Sequence, residues 1–370
     1  MKKMQAQARD KSTEISADLA ARSLTGTART RSHELTQRKT LHKHDGTLRE
    51  PGWSRRPVQI YSRAGVKAPK IRLKEWDYYL VVGQGFGVAL TIADNGYMGL
   101  NSVTFMDYET AGSIDKSVPT LFPMGKYGMP EDSTVPSVSS FENSTLKLRF
   151  DVREGTRRLS CRYKKFHNGR DFACEITLAE PDMDSLTIAT PWAEDPLAFY
   201  YNRKINCMPA GGWVELDGER HEFNPYTDFG TLDWGRGVWT YDNRWKWGSG
   251  NGVVDGKPFG FNLGYGFGDT RAASENLLIY DGIGHKIDDV TFHFDKNDYT
   301  KPWRWDSSDG RLEGDFVPVF DHATKVDAKI LCTDGHQVFG KLTGFCVLDD
   351  GRRLELKDFF CFAEDVRMKY

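Results

Sequence analysis

Asp-Gly and Asn-Gly pairs punctuate this chain along most of its length. Asp-Gly occurs at Asp45, Asp217, Asp255, Asp281, Asp309, Asp334 and Asp350, and Asn-Gly at Asn95, Asn168 and Asn251. Both pairs tolerate the positive φ angles of a two-residue type I′ turn, so between apolar runs they mark hairpin tips. The runs themselves alternate. Leu146-Lys147-Leu148-Arg149-Phe150-Asp151-Val152 places every second side chain on an apolar face, as do Val290-Thr291-Phe292-His293-Phe294 and Leu354-Glu355-Leu356 leading into Phe359 and Phe360. That period of two is the pattern of a strand with one wet face. Asn168-Gly169 falls between two such runs, 159–165 and 172–178, and reads as a simple hairpin.

After Trp53 no segment carries a strong helical period. Many strands at close spacing, without intervening helices, give an all-β fold of antiparallel sheets. A span of about 325 residues exceeds one small barrel, so two barrel-like or sandwich halves are expected, 45–200 and 201–370. The division is placed near 191–209, where prolines interrupt the strand rhythm. The echo of Gly83-Gln84-Gly85-Phe86-Gly87 in Gly264-Tyr265-Gly266-Phe267-Gly268 supports two halves.

Residues 1–44 differ from the rest. They hold ten Lys/Arg against four Asp/Glu and many Ser/Thr, and read as a basic flexible arm. A short helix from an N-capping Ser12, with Ile15 and Leu19 on one face, fits the pattern. Asp10, Glu14 and Asp18 argue against an organelle transit peptide, and no apolar stretch follows Lys2 and Lys3 as a secretory signal would require. No apolar run approaches the roughly 20 residues of a membrane span. The formal net charge of -2 gives no attraction to nucleic acid or anionic lipid. The six cysteines (161, 174, 207, 332, 346 and 361) form no CxxC pair, and are expected as free thiols in the cytoplasm.

Function is sought first in one segment. Asp233-Trp234-Gly235-Arg236-Gly237-Val238-Trp239-Thr240-Tyr241, continuing through Asn243, Trp245 and Trp247, holds four of the ten tryptophans. A buried charge must be paired, and each buried indole N–H wants a partner, so a plain core strand does not call for this mixture. A cavity for a largely apolar ligand does. Strand alternation puts Asp233, Trp239, Tyr241, Trp245 and Trp247 on one side and Trp234 and Arg236 on the other. The two glycines fit a bulge or a close strand contact.

An acid against aromatic walls has its pKa raised and can protonate an alkene. Tryptophan faces would stabilise the resulting cation. Asp233 is the first candidate acid, Glu275 the second and Asp228 the third. Arg236 is a candidate for holding an anionic end of the ligand, with Asn206 and Asn276 orienting a hydroxyl or carbonyl. The competing structural reading pairs Asp233 with Arg236 to fix a loop and uses the tryptophans to plug a barrel end. Other signals fail: Gly83-x-Gly85-x-Gly87 is followed by a strand rather than a helix, no Walker loop or GxSxG elbow occurs, and His42 and His44 lack a third ligand. No metal and no cofactor is therefore expected.

Several ordered motifs resemble a widespread uncharacterised family, the domain of unknown function 2804. They are Gly52-Trp53-Ser54, Lys74-Glu75-Trp76-Asp77-Tyr78-Tyr79, Ile188-Ala189-Thr190-Pro191-Trp192, Lys204-Ile205-Asn206-Cys207-Met208-Pro209-Ala210, the central Leu232–Trp239 stretch, Asn262-Leu263-Gly264 and Ser274-Glu275-Asn276. The resemblance spans about Gly52 to Glu364. The chain departs from it after Cys361-Phe362-Ala363-Glu364, where the family's His-Asn-Arg-Trp is replaced by Asp365-Val366-Arg367-Met368, and at Thr240, where the family has proline. More distantly the style resembles the lipocalin-like carotenoid hydratases, which implies a pair of barrel-like halves. The expected function is a cofactor-independent hydratase or isomerase acting on an apolar or amphipathic unsaturated small molecule. The alternatives are a non-catalytic lipid or pigment carrier and a carbohydrate-active protein with paired carboxylates.

Overall fold

A computed structural model describes residues 32–327 and 332–369. The helix expected from Ser12 lies outside the described residues. Of the basic arm expected over 1–44, the described part is packed against the body. Leu41 is fully buried, Leu35 nearly so, and the Leu35 amide donates to the Trp53 carbonyl.

The fold is all-β, and among the described residues no α-helix occurs. Two antiparallel sheets curl around separate cores. The first has thirteen strands. Its central path runs from the Gly112–Leu121 edge through Met98–Asp107, Phe86–Asp94, Leu73–Val82, Phe229–Val238 and Phe199–Leu216 to Arg170–Ala179 and beyond. The second has nine strands and is centred on Asp242–Val254 and Arg353–Lys369. The strand Phe199–Leu216 spans the division expected at 200/201 and lies wholly in the first sheet. The chain passes to the second sheet between Val238 and Asp242.

The turn chemistry acts largely as its sequence implies. Asn168-Gly169, Asp217-Gly218, Asp255-Gly256 and Asp281-Gly282 all have both residues at positive φ, the conformation of a type I′ tip. Asn168-Gly169 joins Thr156–His167 to Arg170–Ala179 with His167 opposite Arg170. Two pairs are not tips. Asn251-Gly252 lies inside the Asp242–Val254 strand, and Asp334-Gly335 inside Cys332–Val347. Asn251 is held extended because its side chain bonds Thr231 Oγ1, the Cys207 amide and Asn206 across the two sheets.

Alternation along the central strands then sorts side chains between two kinds of interior. From Leu73–Val82, Tyr79 and Val81 enter the first core, whereas Trp76, Tyr78 and Leu80 face the second sheet. From Asp242–Val254, Trp245 and Trp247 face the first sheet. The halves therefore pack face to face through an aromatic layer distinct from either core. No helix among the described residues is long and apolar enough to cross a membrane. All six cysteines are free thiols.

Candidate functional site

Between the two sheets the aromatic layer opens into a cavity of about 270 Å³. This is near the lower end of small-molecule pockets. Its walls come from distant stretches of sequence: Trp76 and Tyr78, Tyr200 and Lys204, Asp233 and Trp239, Trp245 and Trp247, Phe267 and Glu275, and Glu364. They meet because each sits on a strand, or at the end of one, whose opposite face fills one of the two cores.

The Asp-Trp-Gly-Arg-Gly segment forms part of the Phe229–Val238 strand and divides by parity. Asp233, Gly235 and Gly237 face the cavity layer. Gly235 lies directly opposite Trp76 in the ladder, and a β-carbon there would stand 1.9 Å from the indole. A β-carbon on Gly237 would stand 2.7 Å from Trp239 Nε1. Neither glycine has a positive φ. Both are needed for close approach, since each leaves room for a tryptophan of the cavity wall.

Trp234 and Arg236 point the other way, into the first half. The Arg236 guanidinium lies 4.0 Å from the Trp234 ring centre. It bonds Asp77 at 3.2 Å and donates to the Trp76 and Pro130 carbonyls. It is fully buried and reaches no part of the cavity. Its partner carboxylates are Asp77 and, at 3.8 Å, Glu75, not Asp233.

The other sequence candidates separate in the same way. Tyr241 lies in the turn between the sheets and is half exposed. Asn206 is buried and does not line the cavity; its Nδ2 donates to Ser249 Oγ, Asn251 Oδ1 and the Phe261 carbonyl, joining the sheets. Asn276 accepts from the Gly264 amide and donates to the Asp288 carbonyl, which fixes the chain around Glu275. Asp228 accepts from the Asn224 amide and Thr227 Oγ1 and closes a turn. Asp233, Glu275, Trp239, Trp245 and Trp247 are brought together on the cavity wall.

The polar groups of the cavity are few and specifically held. Asp233 pairs with Lys204 at 2.9 Å and accepts from Asn202 at 2.5 Å. The Lys204 ammonium also lies 4.1 Å from the Trp247 ring centre, a cation–π distance. Glu275 is buried, and burial pushes its carboxyl up, with the Lys204 charge and then a hydrogen bond from Tyr200 opposing the shift. Burial pushes the Glu364 carboxyl up to about 7. Its Oε1 accepts from Gln337 at 2.7 Å, and its Oε2 lies 3.4 Å from Trp245 Nε1. Trp247 Nε1 donates to Asn262, whose own Nδ2 donates to the Glu275 carbonyl.

Sequence reasoning singled out neither Glu364 nor Lys204 as a site residue, and it missed Trp76, Tyr200 and Phe267. All but Phe267 and Tyr200 stand inside motifs that carried the family resemblance. The available signal was membership of a motif rather than any local pattern.

Residues 32–370 match the family described as a domain of unknown function (DUF2804). The chain belongs to this family. No curated protein matches the sequence. Among solved structures, similar folds include kievitone hydratase from Nectria haematococca, with a TM-score of 0.49 at 10% identity over 80% of this chain and 88% of that one. A putative AttH from Nitrosomonas europaea gives 0.46 at 12% identity, over 80% and 92% of the two chains. CghA, solved with Sch210972, gives 0.46 at 10% identity, over 80% and 88%.

Proposed function

We propose that the cavity between the sheets is the active site of an acid–base enzyme that needs no cofactor. Its substrate is a small apolar or amphipathic molecule with a carbon–carbon double bond, which it hydrates or isomerises. One observation carries the reading: two carboxyls, Glu275 and Glu364, face an aromatic cavity and both are pushed toward the protonated form by burial. A carboxyl with a pKa of about 7 can both give and take a proton at neutral pH.

In hydration, the protonated Glu364 would deliver its proton to one alkene carbon. The neighbouring carbon becomes cationic while it faces Trp76, Trp239 and Trp245, whose negative ring faces stabilise it. Water would add to that carbon and return a proton to a carboxylate. In isomerisation, Glu275 would instead remove a proton from the cation, which shifts the double bond. Asp233 has a different part in this scheme. Its bonds to Lys204 and Asn202 hold the ammonium against Trp247, so it positions charge rather than carrying the proton.

A carrier without catalysis is the second reading, and the Lys204–Asp233 pair favours it, because a fixed ion pair can orient a ligand without reacting. Native mass spectrometry of freshly purified protein would identify a retained molecule. Turnover of that molecule in heavy water should then place deuterium in the product. Glu364→Gln and Glu275→Gln should each slow turnover by about 10²- to 10⁴-fold. Unchanged turnover in both variants would remove these acids from the mechanism, and a retained ligand that never turns over would favour the carrier.

A further inference from the structure

The charges around the cavity do not balance. Lys204 is matched by Asp233 at 2.9 Å, and Lys246, on the same wall, by Asp365 at 2.7 Å. Glu275 and Glu364 remain. Among the described residues neither makes an ion pair within 4 Å, although both face the cavity and the Lys204 charge draws both carboxyls down against the effect of burial. Around them stand rings set at steep angles to one another. Trp76 meets Trp239 at 77° with centres 5.2 Å apart, Trp239 meets Phe267 at 84° and 4.7 Å, and Trp245 meets Phe267 at 89° and 5.4 Å. Rings packed edge to face in this way form one wall of the cavity, and an aromatic face attracts an alkylammonium group.

We propose that the cavity selects an organic cation: a small amphipathic molecule whose ammonium nitrogen sits among the Trp76, Trp239, Trp245 and Phe267 rings and is neutralised by Glu275 and Glu364. This rests on the cavity being the substrate site, and names the class of substrate. A neutral ligand would leave both carboxyls in the protonated form that burial favours and gain no charge attraction from them. A cation reverses that, because it stabilises a carboxylate beside it and displaces a proton. Ionised Glu364 then holds the nitrogen and Glu275 keeps the proton, so with a cationic substrate the two carboxyls exchange the parts they take with a neutral alkene.

The pH dependence follows from the surroundings of Glu364. Facing it are Lys204, Asp233, Tyr78 and Tyr200 from the first sheet, Gln337, Trp245, Lys246 and His322 from the second, and Glu275 from the loop between Tyr265 and Leu277. Lys204 and Lys246 are already neutralised, and burial raises Tyr78 out of the working range. Glu364 titrates at about 7; beside it His322 is raised, burial being outweighed by its bond to Asp115 and the Asp115 charge, and burial lowers Lys286, which faces Glu275, to about 7. Affinity for a cation should therefore rise by up to about tenfold per pH unit below 7 and level off above it.

Three soluble probes of one shape test this: choline, its uncharged carbon isostere 3,3-dimethyl-1-butanol, and the anion 3,3-dimethylbutanoate. Binding to the full chain would be read by calorimetry and ligand-observed NMR at pH 5.5 and pH 8. The expected result is choline tighter than the alcohol by about tenfold or more at pH 8. That advantage should shrink at pH 5.5, and shrink at both pH values in Glu275→Gln and Glu364→Gln. Equal binding of choline and the alcohol would overturn the cation proposal and leave the cavity reading standing. Preference for the anion would overturn it in favour of Lys204 as the ligand-holding group. If no probe binds at millimolar concentration, both the proposal and the cavity reading fall. The wild-type pH series keeps the test decisive should a variant fail to fold.

Discussion

Replacing Gly235 by alanine should drive Trp76 into the cavity. A β-carbon on Gly235 would lie 1.9 Å from Trp76 Cζ2, 2.2 Å from Cε2 and 2.4 Å from Cη2. Carbon atoms in contact stand about 3.5–4.0 Å apart, so the indole must retreat by roughly 1.6 Å or more. The backbone has little freedom to move instead. Gly235 is paired with Trp76 on one side and Asn202 on the other, in the middle of the first sheet. The open direction for the ring is the cavity itself, where it would displace ligand and press on Trp239, its edge-to-face neighbour at 5.2 Å. Overpacking of this kind costs about 1–3 kcal/mol. Urea unfolding followed by tryptophan fluorescence would measure it, with Gly235→Ala compared to Trp76→Leu and to the double variant. The double variant should be more stable than the sum of the single losses by about 1 kcal/mol, because removing the indole removes the clash. Wild-type stability of Gly235→Ala, or strict additivity, would refute the claim that the glycine exists to admit the tryptophan.

Three other outcomes follow from the same geometry. Lys204→Met leaves Asp233 buried without its ammonium and should destabilise by about 3–5 kcal/mol, with Lys204→Met/Asp233→Asn recovering much of the loss in the same urea assay. Asn206→Ala removes a donor shared by Ser249, Asn251 and the Phe261 carbonyl, and should cost about 1–3 kcal/mol; a loss below a few tenths would mean the sheets do not depend on it. Glu364 should make stability fall as pH rises: its folded pKa of about 7 exceeds the ordinary 4.5, so between those values the unfolded chain has released a proton that the folded chain retains. Thermal melting from pH 4.5 to 8 should show that slope in the wild type and a shallower one in Glu364→Gln; identical slopes would exclude Glu364 as its source.

Much of the frame was legible because strand and turn signals are local. A period of two and an Asn-Gly pair fix the hairpin at Asn168-Gly169 without reference to anything distant. The same reading failed at Asn251-Gly252 and Asp334-Gly335, where side-chain bonds and ladder pairing hold the pairs extended. Parity within Asp233–Arg236 was also legible: Asp233 falls on one face and Trp234 and Arg236 on the other. What each face meets was not. The Phe229–Val238 strand is central and buried on both sides, so both faces look alike to a sequence pattern.

By itself, then, the sequence determined an all-β chain of hairpins, its family, and a strand with Asp233 on one face and Trp234 and Arg236 on the other. Only the tertiary structure decided that the Asp233 face is the wall of a cavity shared with the second sheet. It also decided that Arg236 is bound to Asp77 in the first half, that Lys204 answers Asp233, and that Glu364 joins Glu275 on the cavity wall. The physical reason is range. Turns and strand alternation are set by neighbours within a few residues. The protonation of a carboxyl is set by every dipole and charge brought against it, and Trp76 and Glu364 reach one cavity only after both sheets have closed on their cores.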